Sequence, residues 1–251
     1  MLARFLLFAL LFSSAGLLLY RGVCDFYLIY QGDVIVVQSE SSDGYDYLLR
    51  IPKGYNDFSG PQPLLIYLHG AGDRGTDPMT LVDKDPVAFS RKEYRNRETA
   101  EFPFIVATPI CPEKRWEPSR IIIMLDEILA STRFRYQIDP NRIYLTGYSM
   151  GGFGTYETAM AYPERFAAIV PVAGGGEPDK AEKLKDVAIW AFHGALDETV
   201  PLPSTQLVVE AMQNMDHKHV QMSVMAQQGH DIAEEVYRDK TLYRWLLRHR
   251  R

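Results

Sequence analysis

Short apolar runs, separated by polar turns and amphipathic stretches, make up most of the chain. Residues 34–37 and 45–51 flank a polar turn and predict an antiparallel strand pair at the first edge of a sheet. Residues 118–129 carry apolar side chains on one helical face, and Pro118 marks the start of that helix. Further strands are predicted at residues 64–68, 104–108, 143–148, 166–172, 187–192 and 220–226.

Helices are expected between these strands. One is predicted at residues 153–162, where Pro163 ends it, and a last one near residues 237–248. Alternating strands and helices predict an α/β fold with a mostly parallel, doubly wound sheet and helices on both faces. Only residues 173–186 separate the strand at 166–172 from the next strand, which leaves no room there for a large cap domain.

A serine motif follows one of the central strands. Residues 143–154 read Ile-Tyr-Leu-Thr-Gly-Tyr-Ser-Met-Gly-Gly-Phe-Gly, which is an apolar strand, the pattern G-x-S-x-G and the start of a helix. Such an elbow exposes the serine oxygen at the tip of a sheet, and Gly147 and Gly151 leave room for the neighbouring backbone. Ser149 is therefore the candidate nucleophile.

An acid and a histidine follow in the order that this motif requires. Asp197 ends a tight loop after the apolar run at 187–192, and His230 lies in the loop after the strand at 220–226. Parallel strands would bring these loops to one carboxyl edge of the sheet, where ligands bind in open α/β folds. We expect Asp197 to orient His230, which acts as the base for Ser149.

Other histidines and acids fit these roles less well. His69 and His193 lie in His-Gly turns out of order for the base, and we expect them to hydrogen-bond backbone. Glu198 would point away from the site if Asp197 points into it, and Asp231 is too close in sequence to the candidate base. Three histidines in polar stretches are predicted to be surface residues: His217, His219 and His249.

Backbone donors for a developing negative charge are predicted beside the serine. Residues 63–75 form a buried-type strand that ends in His-Gly-Ala-Gly. In acyl transfer, two backbone N–H groups stabilise the oxyanion, one after the nucleophile and one in the loop after the third strand. In this chain those groups would belong to Met150 and Ala71.

Composition and charge exclude several classes of protein. A length of 251 residues suffices for one large α/β domain, and 47% apolar with 24% charged residues is typical of globular chains. A net charge of −5 argues against a nucleic-acid partner, because such proteins present a basic face. Cys24 and Cys111 are too few for a disulfide framework and lack metal-ligand spacing, and we predict no metal or organic cofactor.

The N-terminal segment differs from the rest of the chain. Arg4 precedes an uncharged apolar run at residues 5–20, and Arg21 follows it. Residues 1–27 are interpreted as a cleaved signal peptide or a membrane anchor, with a buried helix as a third alternative. In the first two interpretations residues 28–251 form an exported catalytic domain, either secreted or periplasmic, or tethered to a membrane.

Five sequence blocks in a fixed order carry a resemblance to a known family. They lie at residues 68–75, 107–112, 139–155, 191–201 and 229–231. Together they resemble the phospholipase/carboxylesterase branch of the α/β hydrolases, and more narrowly its "predicted peptidase" esterases, near feruloyl esterases and polyhydroxybutyrate depolymerases. The resemblance covers the chain from about Tyr45 to the end. It implies the α/β-hydrolase fold, carboxylic-ester hydrolysis, and the triad and oxyanion residues named above.

Three functions remain open at this point. The leading one is a serine carboxylic-ester hydrolase that forms an acyl-enzyme with small-molecule or glycan-linked esters. The alternatives are a serine peptidase of the same fold and a non-catalytic, membrane-anchored binding protein. Trp116 is a candidate wall of the acyl pocket, with a half-buried structural tryptophan as the ordinary interpretation. Family members often carry Ser-Trp after the Gly-His-Asp block, where this chain has Ile232 and Ala233.

Overall fold

The computed structural model describes residues 18–22, 25–30, 34–51, 60–94, 102–131 and 137–251. The strands in this part of the chain are β1 (Leu18–Gly22), β2 (Asp25–Tyr30), β3 (Val34–Val37), β4 (Tyr47–Arg50), β5 (Gln62–Leu68), β6 (Ile105–Pro109), β7 (Ile138–Tyr148), β8 (Ala168–Val172), β9 (Ala188–Gly194) and β10 (Val220–Met225). The α-helices in the same residues are α1 (Pro86–Tyr94), α2 (Pro118–Ala130), α3 (Met150–Ala161), α4 (Pro203–Asn214), α5 (Ala233–Arg238) and α6 (Lys240–Leu246).

All ten strands belong to one sheet, in the order β1-β2-β3-β4-β6-β5-β7-β8-β9-β10. Every pairing from β6 through β5 and β7 to β10 is parallel. The strands from β1 to β4 are antiparallel to their neighbours. The predicted parallel sheet with an antiparallel pair towards one edge is confirmed, and β1 and β2 extend the sheet beyond that pair.

Side chains of the central strands alternate between two hydrophobic layers, because successive residues of a strand point to opposite faces. In β5, Leu64 and Ile66 join the layer that contains side chains of α2, α3 and α4. Leu65 and Tyr67 join the other layer, with side chains of α1, α5 and α6. Helices therefore cover both faces of the sheet, as predicted for a doubly wound fold.

The C-terminal helix predicted near residues 237–248 is instead two helices, α5 and α6. Asp239 separates them with an extended backbone of φ −74° and ψ 112°. Its side chain accepts a hydrogen bond from the backbone N–H of Thr241 at 2.7 Å. A side-chain cap of this kind begins a new helix, and this local bond outweighs the continuous apolar pattern on either side.

The connection between β8 and β9 is described throughout and is short. It contains one 3₁₀ helix, Pro178–Leu184, and no cap domain. The prediction that no large insertion follows β8 is therefore confirmed. The carboxyl ends of the neighbouring strands β7, β8 and β9 have no cap from this connection above them.

Part of the predicted N-terminal targeting segment falls within the sheet. Residues 18–22 form β1, which pairs with β2, and residues 25–27 belong to β2. Residues 1–17 lie outside the described residues, so the signal peptide or anchor stays a prediction. Among the residues that the structure describes, no helix combines the length and the apolar character needed to cross a membrane.

Candidate active site

Ser149 lies between the end of β7 and the start of α3, in a backbone conformation that side chains rarely adopt. Its φ is 56° and its ψ is −114°. Its own N–H donates to the carbonyl oxygen of Val172 at 2.9 Å, which ties the elbow to the end of β8. Such a conformation costs of order 1–3 kcal/mol and persists only where the surrounding structure enforces it.

Two glycines make this tight turn sterically feasible. A Cβ atom at Gly147 would collide with the carbonyl group of Gly151. A Cβ atom at Gly151 would collide with the carbonyl oxygen of Leu68, at the end of β5. The motif therefore carries glycine on both sides of Ser149 because α3 begins in direct contact with its own strand and with β5.

His230 connects the serine to the acid, as the sequence order predicts. Its Nε2 lies 2.8 Å from Ser149 Oγ, and its Nδ1 lies 2.7 Å from Asp197 Oδ2. A carboxylate oxygen can only accept, so Nδ1 carries the hydrogen and Nε2 presents its lone pair to the serine hydroxyl. About 20% of the His230 side chain is exposed, so the base is reachable from solvent.

Asp197 is held as a carboxylate in a buried position. Its Oδ1 accepts hydrogen bonds from the backbone N–H groups of Thr199 (2.9 Å) and Val200 (2.8 Å). Burial would raise the pKa of the Asp197 carboxyl, but the bonds from His230, Val200 and Thr199 outweigh burial and lower this pKa. The acid is therefore ionised at neutral pH and can stabilise an imidazolium at His230.

The acid loop and the histidine loop pack directly against each other. A Cβ atom at Gly194 would collide with the carbonyl oxygen of Gly229. The N–H of Leu196 donates to the carbonyl oxygen of Gln228 at 2.9 Å. These contacts follow from the parallel pairing of β9 with β10, and they fix the spacing between Asp197 and His230.

Each of the two residues expected to donate to the oxyanion is the first residue of a helical segment. Met150 is the first residue of α3, and Ala71 is the first residue of a 3₁₀ helix, Ala71–Asp73. N–H groups at helix starts have no partner within the helix and are free to bind an anion. The side chain of Arg74 donates to the carbonyl oxygen of Ala71 at 2.8 Å and so restrains the Ala71 loop.

His69 and Trp116 are buried side chains that pack against the Ala71 loop from the core. His69 is fully buried, its Nε2 accepts the N–H of Cys111 at 3.0 Å, and its Nδ1 lies 2.8 Å from the carbonyl oxygen of Gly70. Trp116 is 1% exposed and donates from Nε1 to the carbonyl oxygen of His69 at 3.2 Å. Trp116 therefore packs behind the loop in the core, more deeply than the half-buried position of its ordinary structural interpretation, and its place in the acyl pocket stays a prediction.

Tyr148 is a site residue that the sequence reasoning did not single out. Its ring lies 5.2 Å from the His230 ring, centroid to centroid, and it packs against Gly70. Burial, with smaller effects of Asp231 and Asp197, raises the pKa of Tyr148 to about 12, so the phenol stays neutral. The available signal was its place as the residue before the serine, which must lie beside the triad.

The next feature is a cavity that lies away from the three residues of the relay. Across the described ranges, no group of three or more His, Cys, Asp or Glu side chains is arranged to hold a metal ion. A cavity of about 820 Å³ lies at the opposite, amino edge of the sheet, beside the starts of β8 and β9. Three unburied histidines line that cavity: His217, His219 and His249.

Comparison with known proteins gives one family. A family model described as phospholipase/carboxylesterase matches residues 117–241, about half of the chain. A crystal structure of a thermostable esterase superposes with a TM-score of 0.73 at 29% identity, over 87% of this chain and 64% of that one.

Two curated relatives extend the comparison. Poly(3-hydroxyalkanoate) depolymerase C of Paucimonas lemoignei is 38% identical over 144 residues, which are 55% of this chain and 33% of that protein. Probable feruloyl esterase C of Aspergillus terreus is 26% identical over 165 residues, which are 65% of this chain and 58% of that protein. The matched segments thus span a third to three-fifths of these relatives.

Proposed function

Because the chain belongs to the phospholipase/carboxylesterase family of α/β hydrolases, we propose that it is a serine carboxylic-ester hydrolase that works through an acyl-enzyme. The observation that carries this proposal is the unbroken relay from Ser149 Oγ through His230 to Asp197, with contacts of 2.8 and 2.7 Å. Hydrogen-bond contact from nucleophile to base and from base to a third orienting group is the geometry of nucleophilic catalysis.

The first half-reaction acylates the serine. Ser149 Oγ attacks the ester carbonyl carbon while its proton moves to His230 Nε2, and Asp197 stabilises the imidazolium that forms. The carbonyl oxygen becomes negative and accepts hydrogen bonds from the N–H groups of Ala71 and Met150. The bond from carbon to the alcohol oxygen then breaks, and the alcohol leaves with the proton from His230.

Water completes the cycle by the same route in reverse. His230 takes a proton from a water molecule, whose oxygen attacks the acyl carbon, and the acid product leaves as Ser149 Oγ recovers its proton. Every charge that develops is balanced by His230, Asp197 or a backbone donor. The proposed mechanism requires neither a metal ion nor an organic cofactor.

Two observations support small or exposed acyl esters as substrates. The connection after β8 adds no cap, and Leu196, on the loop that carries Asp197, is 63% exposed. Two relatives are named for ester substrates: one is a poly(3-hydroxyalkanoate) depolymerase and the other a probable feruloyl esterase. We extend this to small-molecule or glycan-linked esters, such as acetyl or feruloyl groups on a polysaccharide.

Export is part of the same proposal. Polymeric or plant-derived esters occur outside the cytoplasm, and the part of the apolar run that precedes β1, residues 5–17, is uncharged as in a signal or anchor segment. We therefore place the catalytic domain outside the cytoplasm, either free or tethered through that run. Mass measurement of the mature protein from a secreting host separates the two, because only cleavage removes the run.

Hydrolysis of p-nitrophenyl esters from acetate to palmitate by the full-length protein tests the activity, with the Ser149→Ala variant as its control. We expect activity to peak at two to four acyl carbons and to fall to background in the variant. Comparable rates in both proteins would refute Ser149 as nucleophile. A peak at long acyl chains would contradict the proposed substrate class and favour lipid esters.

The nature of the leaving group distinguishes a serine peptidase from an esterase. An amide nitrogen leaves only when protonated, so a peptidase must deliver its proton at the right geometry, whereas an ester alcohol is a better leaving group. We expect hydrolysis of an ester and no measurable hydrolysis of the anilide with the same acyl group. Labelling of Ser149 by a fluorophosphonate separates both enzymes from a non-catalytic binding protein, which would remain unlabelled.

A further inference from the structure

A second histidine lies next to the proposed catalytic acid, near the same oxygen that accepts from His230. His193 lies in β9 and is fully buried. Its Nε2 is 3.2 Å from Asp197 Oδ2 and 2.8 Å from the carbonyl oxygen of Val200. Both neighbours are acceptors, so Nε2 carries a hydrogen, and it donates that hydrogen to the carbonyl oxygen of Val200. Oδ2 of Asp197 therefore accepts from His230 at 2.7 Å and lies 3.2 Å from the polar edge of the His193 ring, which is a close electrostatic contact without a hydrogen bond.

The other side of the His193 ring is anchored as well. Its Nδ1 lies 2.8 Å from Thr205 Oγ1, in α4, and the same oxygen lies 2.7 Å from the carbonyl oxygen of Gly174. The single hydroxyl hydrogen can serve either of these two acceptors. The ring thus links the acid loop to α4 and to the segment after β8, and it cannot turn without leaving buried polar atoms unpaired.

We propose that His193 is a positioning residue for the catalytic acid: its Nε2–H holds the carbonyl oxygen of Val200, whose own N–H holds Asp197 Oδ1, so that the carboxylate meets His230 Nδ1 in line. This inference rests on the proposed ester hydrolysis and adds to it a fourth side chain that never touches substrate. It explains why His193, near the end of β9, is buried against the acid although its order in the chain excludes it as the base.

The contact has a chemical consequence beyond geometry. The polar N–H edge of His193, 3.2 Å from Oδ2, shares the negative charge that would otherwise act on His230 alone. Loss of that edge leaves more of the charge to stabilise the imidazolium that forms at His230 in the proposed reaction. The ionisable groups around this cluster are Tyr148 beside His230, together with Asp231 and Asp73, which act on Tyr148.

Two substitutions of His193 separate its two sides. In His193→Gln the amide nitrogen replaces Nε2 and can still donate to the carbonyl oxygen of Val200, beside Asp197 Oδ2. In His193→Asn the shorter amide reaches only the Nδ1 position and Thr205. We expect kcat for p-nitrophenyl acetate to fall about 10- to 100-fold in the Asn variant, with KM nearly unchanged, and about threefold or less in the Gln variant.

Two further readouts report on the acid–base pair itself. The acid limb of the kcat/KM profile should move to higher pH in His193→Asn and stay in place in His193→Gln. The far-downfield proton resonance of the His230 Nδ1–H should shift in the Asn variant only. This resonance does not depend on turnover, so it tests the positioning role even if the wild-type protein hydrolyses no ester.

The outcomes separate the inference from the proposed function. Wild-type activity with unchanged kcat, pH profile and His230 resonance in His193→Asn overturns the positioning role and leaves the esterase intact. An equal loss in both variants overturns it too, because the donor to Val200 would then be irrelevant. Inactive wild-type protein that resists fluorophosphonate overturns the proposed function, while the resonance still decides the role of His193.

Two substitutions of Thr205 test the same proposal independently, in case the His193→Asn variant does not fold. Thr205→Val removes the hydroxyl that holds His193 Nδ1, and Thr205→Ser retains it. We expect kcat to fall about three- to tenfold in the Val variant and to remain near wild type in the Ser variant, with similar melting temperatures. Equal kcat in the two Thr205 variants would contradict the proposal.

Discussion

Asp197 shows how much the behaviour of a proposed catalytic residue depends on its hydrogen-bond partners. Its Oδ1 accepts from the N–H groups of Thr199 and Val200 and its Oδ2 accepts from His230, and these bonds lower its pKa in spite of burial. An ionised acid orients His230 with the hydrogen on Nδ1. An amide at the same position can present its NH₂ group to Nδ1 and so stabilise the wrong tautomer.

Replacement of the acid by its amide should therefore abolish most of the activity. We expect Asp197→Asn to lower kcat/KM roughly 10⁴-fold at neutral pH, because the tautomer with a lone pair on Nε2 is no longer favoured. The matched control is Glu198→Gln, which removes one charge at the neighbouring exposed position. Steady-state hydrolysis of p-nitrophenyl acetate measures both, and similar rates in the two variants would move the acid elsewhere.

At the residue scale, the order of motifs along the sequence predicts the candidate site residues better than residue type alone does. Ser149, Asp197 and His230 could be predicted because each follows a strand, and parallel strands end at one edge. The burial of Trp116 and the contact of His193 with Asp197 could not, because both depend on how separate loops pack. Neither the sequence around Trp116 nor the His-Gly pair at residues 193–194 carries a signal of that packing.

The loop after β5 is an element whose shape depends on a neutral histidine. Burial lowers the pKa of His69, more than the hydrogen bond to Gly70 raises it. Protonation would place a hydrogen on Nε2, which now accepts the N–H of Cys111. The folded protein therefore resists a proton that the unfolded chain takes up below about pH 6.5.

The sign of this linkage gives a prediction for stability against pH. The contribution of neutral His69 is complete above about pH 6.5 and is lost as the pH falls from there towards the lowered pKa of the folded state, by at most about 1.4 kcal/mol per pH unit. In His69→Gln the amide oxygen can accept from Cys111 and does not titrate. Urea unfolding at pH 7.5 and 5.5 should show a smaller loss in this variant than in the wild type, and equal losses would contradict the assignment.

Element boundaries show the same limit of sequence reasoning. The hydrophobic pattern predicts one C-terminal helix, but the cap from Asp239 to Thr241 divides it into α5 and α6. Helix α3 begins at Met150, three residues before the predicted start, because the elbow ends in helical geometry directly after Ser149. Local hydrogen bonds, which periodicity does not encode, decide both boundaries.

On the scale of the whole molecule, a buried ion pair joins the antiparallel part of the sheet to helix α1. Arg50 in β4 and Asp85 before α1 are 3% and 0% exposed, and the guanidinium donates from Nε to Asp85 Oδ2. Asp85 Oδ1 also accepts the N–H of Ala88, at the start of α1. The pair therefore fixes the position of α1 against β4.

Removal of one charge should be far more costly than removal of both. Asp85→Asn keeps an oxygen for Ala88 but leaves Arg50 buried without its counter-ion, and we expect it to lower the free energy of unfolding by about 3–5 kcal/mol. Replacement of both side chains by apolar ones, in a double variant that combines Arg50→Met with Asp85→Leu, should have a smaller effect. Urea denaturation measures both, and a larger loss in the double variant would contradict this account.

The fold class could be predicted from alternating strands and helices, whereas the full width of the sheet could not. Residues 18–22 read as the end of an apolar targeting segment, yet they form β1 beside β2. An apolar run of this length has the same pattern in a signal segment and in an edge strand. Only the neighbouring strand distinguishes the two.

The backbone of Ser149 implies a conflict between durability and chemistry at one position. A φ of 56° with a ψ of −114° suits glycine and disfavours every residue with a side chain. Selection for a long-lived fold alone would therefore drift towards glycine at position 149. A serine retained there is an energetic burden that only the use of its hydroxyl can offset.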